Sequence, residues 1–158
     1  HYPLRRQRQM CIRDSQSSAS IIPMVSLGAV STTSVTALAF NNNTYNGSPG
    51  VSYIYSTSPN PTTLNRGYVR AFFGTTNAVS NTNYLNFSST RGNASNNVTG
   101  GFTADELYGL GLKPGQTVFL KLYGESVFSN SYDDPATGKF VFPNLNPTSP
   151  AAISFIVP

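Results

Sequence analysis

Short apolar runs rich in Val, Ile, Phe and Tyr recur along most of this chain, and clusters of Gly, Pro, Asn and Ser separate them. Alternation of apolar and polar positions over five to seven residues, bounded by turn formers, marks half-buried β-strands. The pattern predicts strands at Met24–Ala29, Ser34–Phe40, Val51–Tyr55, Tyr68–Phe73, Tyr84–Phe87, Thr117–Tyr123 and Ile153–Val157. In Ser34–Phe40, Val35, Ala37 and Ala39 share one face and Leu38 and Phe40 the other. In Tyr68–Phe73, Tyr68, Arg70 and Phe72 alternate with Val69, Ala71 and Phe73, and the Arg70 face is expected to be the wetter one. Thr117–Tyr123 carries the strongest pattern, with Val118, Leu120 and Leu122 directed inward and Phe119, Lys121 and Tyr123 outward.

Punctuation between the strands is equally legible. Asn46-Gly47 and Pro49-Gly50 signal a break after Phe40. Ser56–Asn65 reads as a loop, as does most of the polar stretch 74–101, in which Ser89–Asn97 is expected to be exposed. Thr103 and Glu106 have the spacing of a capping box, in which each residue satisfies a free amide of the other, and predict a short helix from Ala104 to Tyr108. Asp134-Pro135-Ala136-Thr137-Gly138 predicts the turn of a hairpin within Ser131–Phe142. These elements describe an all-β antiparallel β-sandwich with one short helical turn, spanning residues 23–158 behind a linker at 16–22. No internal repeat is evident.

The segment Leu110–Ser126, with Leu112, Pro114, Gly115 and Thr117 followed by alternating Val118, Leu120 and Leu122, resembles the fibronectin type III and related immunoglobulin-like modules of bacterial surface proteins. There it would be the corner leading into the penultimate strand. Gly28–Phe40 resembles the first two strands of that family and Val51–Thr63 the third. The likeness spans most of 23–158. The second-strand Trp of the family is missing, with Ala39 or Phe40 in its place, and its corner Tyr falls on Val118. The resemblance implies an immunoglobulin-like sandwich, exported or displayed at a cell surface, whose role is spacing, adhesion or presenting loops, and in which the final strand pairs with Thr117–Tyr123 and the hairpin within Ser131–Phe142 is an excursion between the two. Jelly-roll and other sandwiches share the same strand pattern.

Composition changes the picture at the N-terminus. The string Arg5–Ser15 resembles the translation of a transposase-type sequencing-library adapter, and His1–Leu4 continues the likeness. Residues 1–15 are therefore expected to be adapter-derived, disordered and dispensable. Within them lie the single His and the single Cys of the chain, His1 and Cys11. Arg5, Arg6, Arg8 and Arg13 against Asp14 account for three of the four net positive charges. Without that segment the basic character that would suggest nucleic acid disappears, and no apolar run is long enough for a membrane span.

Candidate chemistry is sparse. Ser-His-Asp and Cys-His catalysis lack a base outside 1–15, and a Ser-Lys pair using Lys113, Lys121 or Lys139 is outweighed by surface lysines. The remaining acids are Asp105, Glu106, Glu125, Asp133 and Asp134. A glycosidase would need two of them across a cleft, and calcium could use Asp133 and Asp134 with Glu125. Helix cap and turn account better for both adjacent pairs, and Gly109–Leu112 reads as helix termination rather than a phosphate loop. The reading is therefore of no catalytic, cofactor or metal site. Tyr53, Tyr55, Tyr68, Phe72 and Phe73 read as core in preference to an outward row stacking on sugar rings. Phe119, Lys121 and Tyr123 are candidates for contact with a neighbouring domain. Sequons occur at Asn42, Asn46, Asn86, Asn93 and Asn97. The expected function is that of a non-catalytic spacer, adhesion or interaction module, with a carbohydrate-binding module and a viral capsid or spike domain as alternatives.

Overall fold

The computed structural model describes residues 33–126 and 131–158. The adapter-like segment, the linker and the expected strand Met24–Ala29 lie outside the described residues. Strands β1 (Ser34–Tyr45) and β2 (Ser48–Ser58) form an antiparallel hairpin. Its turn is Asn46-Gly47, with φ of 53° and 78°. Two successive positive φ values match the right-handed twist of the flanking strands, which is why Asn-Gly is favoured there.

The expected break after Phe40 is corrected by this hairpin, since the ladder runs on through Asn42↔Ser52 to Tyr45↔Ser48. The Asn-rich half of β1 is exposed, so no apolar alternation announces it. Register shifts also separate Val35 from Ala37 and Phe40 from Asn42. Such bulges reverse which parity faces inward. Val35 is therefore buried while Ala37 and Ala39, assigned to the same face, are exposed.

Next come β3 (Gly67–Gly74), β4 (Asn86–Phe87), β5 (Arg91–Asn93), β6 (Val98–Thr103) and the short helix α1 (Ala104–Gly109). The chain continues through β7 (Thr117–Glu125), β8 (Tyr132–Asp134), β9 (Lys139–Val141) and β10 (Ile153–Ile156). One sheet has the order β1-β2-β6. The other has the order β10-β7-β3-β4, with β5 also paired to β3. The β8–β9 hairpin is a separate two-stranded ribbon, as its Asp-Pro-Ala-Thr-Gly turn predicted.

Strand β6 was not legible in the sequence, and its two glycines are the reason. A Cβ at Gly100 would lie 2.7 Å from the Tyr53 ring. A Cβ at Gly101 would run into the Tyr45 ring of β1, so aromatic rings of β1 and β2 occupy the space that β6 side chains would fill, which removes the apolar signal. The expectation that Ser89–Asn97 is an exposed loop is likewise corrected. This stretch contains β5, and Thr90 and Asn93 are buried.

The core lies between the two sheets. Val51, Tyr53, Tyr55 and Phe102 come from the first sheet, and Val69, Phe73, Val118, Leu120, Leu122 and Phe155 from the second. Helix α1 closes one end by burying Leu107. It is held by the expected capping box, in which the Thr103 amide donates to Glu106 Oε2 at 2.8 Å and the Glu106 amide donates to Thr103 Oγ1 at 3.3 Å. Among the described residues, no helix is long and apolar enough to cross a membrane.

The inward face of β7 is the one its alternation predicted, since Val118, Leu120 and Leu122 are all buried. Leu120→Ala is expected to cost about 2–5 kcal/mol through lost burial and a cavity. Lys121→Ala, on the opposite face, should change stability by at most about 0.5 kcal/mol. Urea unfolding of both variants checks the assignment, and the reverse order of effects would refute it.

Candidate functional site

The outer face of the five-stranded sheet holds the most concentrated chemistry. Arg70 on β3 points to this face and is only 2% exposed, against the expectation of a wet surface. Its Nε donates to Glu125 Oε2 at 3.3 Å and its Nη2 to Glu125 Oε1 at 3.2 Å. Nη1 donates to the Ser88 carbonyl at 3.2 Å, and Nη2 to Thr90 Oγ1 at 2.7 Å. Thr90 in turn donates to Glu125 Oε2 at 2.5 Å. β3 and β7 pair so that Tyr68 stands opposite Glu125 and Arg70 opposite Tyr123, which places Arg70 and Glu125 diagonally on one face.

Aromatic rings roof this buried pair. The Arg70 guanidinium lies 5.1 Å from the Phe142 ring centre and 5.6 Å from that of Phe87. Phe72 meets Tyr123 and Phe142 edge-on at 5.5 and 5.0 Å. Leu145 and Val79 complete this second apolar cluster. The β8–β9 ribbon contributes much of the cover, because Phe140 and Phe142, two residues apart, project to the same side and pack on Phe87 at 5.1 and 4.8 Å. The sequence could not show that an excursion folds back over β3.

A groove of about 360 Å³ opens where this ribbon meets the loop around Tyr84. Tyr84, Phe140 and Phe142 give it aromatic walls, and Asn81, Thr137 and Lys139 contribute polar groups. Phe142 is buried, whereas Phe140 is 40% exposed.

The other sequence candidates do not converge on this groove. Tyr53, Tyr55, Phe72 and Phe73 are buried, as the core reading expected, and Tyr68 is half-buried. Burial pushes the Tyr55 phenol up to about 12 and Tyr53 higher still, with Arg91 opposing the rise in both. Both stay neutral as packing groups. Of the proposed outward trio, Phe119 and Lys121 are half-buried, but Tyr123 is buried in the second cluster.

Glu106 is engaged in the helix cap and with Arg91 at 3.3 Å. Asp134 accepts from Thr137 Oγ1 and from the Ala136 amide, which together hold its carboxyl below the usual range. Glu125 is committed to Arg70 and Thr90, so the calcium arrangement with Asp133 and Asp134 is not formed. Among the described residues no three His, Cys, Asp or Glu side chains gather into a metal-binding group. Of the sequons, Asn42, Asn46 and Asn97 are exposed, Asn86 donates to the Leu110 carbonyl at 2.8 Å, and Asn93 is buried. No family model, curated protein or solved structure matches the chain.

Proposed function

We propose that this chain is a non-catalytic, fibronectin type III-like module of an exported or cell-surface protein, serving to space, adhere or present a binding surface. The observation that carries this reading is the use of its carboxylates. Glu106 caps a helix, Glu125 neutralises a buried arginine, and Asp134 closes a turn. Each is spent on structure, which leaves Asp105, in the first turn of α1, and Asp133, in β8, as the described carboxylates outside these roles.

The topology is compatible with the immunoglobulin-like part of the proposal. In that architecture the first, second and fifth strands share a sheet, and the third, sixth and seventh form the other. Here β1, β2 and β6 face β3, β7 and β10, a match that counts β1 and β2 as the first and second strands, where the sequence likeness makes them the second and third. Outside 1–15 the chain carries few charged residues and many Asn, Ser and Thr, a composition common in exported surface proteins, which supports export.

Screening of the full chain against ester, peptide and glycoside substrates is expected to give only background rates. Turnover abolished by Asp105→Asn or Asp133→Asn would sink the reading. A second reading, a carbohydrate-binding module, is favoured by one observation, the groove beside Phe140. Of the aromatic residues that first suggested sugar stacking, Tyr53, Tyr55, Phe72 and Phe73 are buried and Tyr68 is half-buried, and this groove is a different surface.

A further inference from the structure

We propose that the groove between the Tyr84 loop and the β8–β9 ribbon binds an acidic glycan, one carrying carboxylates on its pyranose rings. The inference rests on the non-catalytic module reading and supplies that module with a ligand class. The groove has the make-up of a small-ligand site, with aromatic walls and a few polar groups at the rim. Phe140 presents an exposed ring yet is held in place by Phe87 at 5.1 Å and Phe142 at 6.4 Å. A ring already fixed by its neighbours loses little freedom when a ligand covers it. Aromatic faces carry the negative part of the ring quadrupole, and the C–H face of a pyranose packs against such a surface.

The rim selects for hydroxyl-rich ligands and for their charge. Asn81, Thr82 and Thr137 line it with groups that both donate and accept. Lys139 is the one charged side chain among the lining residues. Its Nζ lies 3.5 Å from the Thr82 carbonyl, so it meets a neutral oxygen across the groove. The carboxylate opposite Lys139 in the ribbon is Asp134, and that group is already occupied by Thr137 Oγ1 at 2.8 Å and the Ala136 amide at 2.9 Å. Asp133, opposite Phe140 in register, does not line the groove. The ammonium is therefore placed for a ligand anion beside an aromatic platform, which fits a uronic-acid ring better than a neutral one.

Affinity electrophoresis and calorimetric titration of the full chain with an oligogalacturonate test this. Binding is expected, and Lys139→Gln should weaken it roughly tenfold, the scale of one hydrogen bond to a charged group. Phe140→Ala should weaken it about fivefold, the scale of an aromatic contact. Lys139 is a surface residue, so its variant reports on binding even if Phe140→Ala disturbs the ribbon. No binding would overturn the inference, as would affinity unchanged in Lys139→Gln. Equal binding of the fully methyl-esterified oligomer would remove the role of charge, and equal binding of dextran sulfate would reduce the effect to non-specific attraction. Either overturns the inference. Failure to bind without cleavage leaves the non-catalytic reading standing, whereas binding followed by cleavage would sink that reading and leave the site.

Discussion

Arg70→Met is expected to destabilise the protein by about 3–5 kcal/mol, the scale for removing one partner of a buried ion pair. Glu125 is fully buried, with an exposure of 0%. Without Arg70 it would keep the Thr90 hydroxyl as its remaining side-chain donor among the bonds described above. The cost arises because a carboxylate stripped of water has lost its counter-charge, not because the pair itself contributes that much. Burying both charges is expensive, and well-packed apolar residues of similar volume often replace such a pair without loss. The double variant Arg70→Met/Glu125→Leu should therefore be more stable than either Arg70→Met or Glu125→Leu. Urea unfolding of the four proteins forms a double-mutant cycle. Additive losses, or a single-variant cost below about 1 kcal/mol, would show that the pair is not electrostatically isolated from water.

Removal of the last strand should have an effect at least as large. Truncation after Pro150 takes away β10, which pairs with β7 through Ile153↔Leu120 to Ile156↔Thr117. It also removes Phe155 and Val157, which are 5% and 1% exposed. Each buried apolar side chain of this size is worth roughly 1.5–3 kcal/mol. Two further backbone bonds go with them, from the Val157 amide to Gln116 and from the Gly115 amide to Val157, both 2.9 Å. Set against a usual domain stability of about 5–15 kcal/mol, these losses predict an unfolded or aggregating protein, since β7 is also left as an unpaired edge. Cooperative melting of the truncated chain near the temperature of the parent would refute this account of β10.

Much of the fold was legible because it is encoded locally. Thr103 and Glu106 fix the start of α1 through two reciprocal hydrogen bonds within four residues. Asn46-Gly47 and Asp134–Gly138 fix two hairpin turns by backbone conformation alone. Val118, Leu120 and Leu122 reveal the inward face of β7, because strict alternation against a core leaves one register open to it.

What the sequence left unsettled depends on residues far apart in the chain. The bulges in β1 turn Ala37 and Ala39 outward although their spacing from Val35 suggests the opposite. Strand β6 is hidden because the rings of Tyr53 on β2 and Tyr45 on β1 fill the space its own side chains would have signalled. Arg70 reads as a wet position until Glu125, 55 residues away in sequence, meets it under Phe87 and Phe142. The groove beside Phe140 likewise exists only because the β8–β9 ribbon folds back onto the outer face of the sheet. Local sequence determined the turns and the cap, since their hydrogen bonds close over a few residues, and those strands, such as β7, whose apolar alternation marks a half-buried face. Tertiary structure alone decided which polar residues were buried and where an aromatic surface stayed open, because both depend on what covers each face.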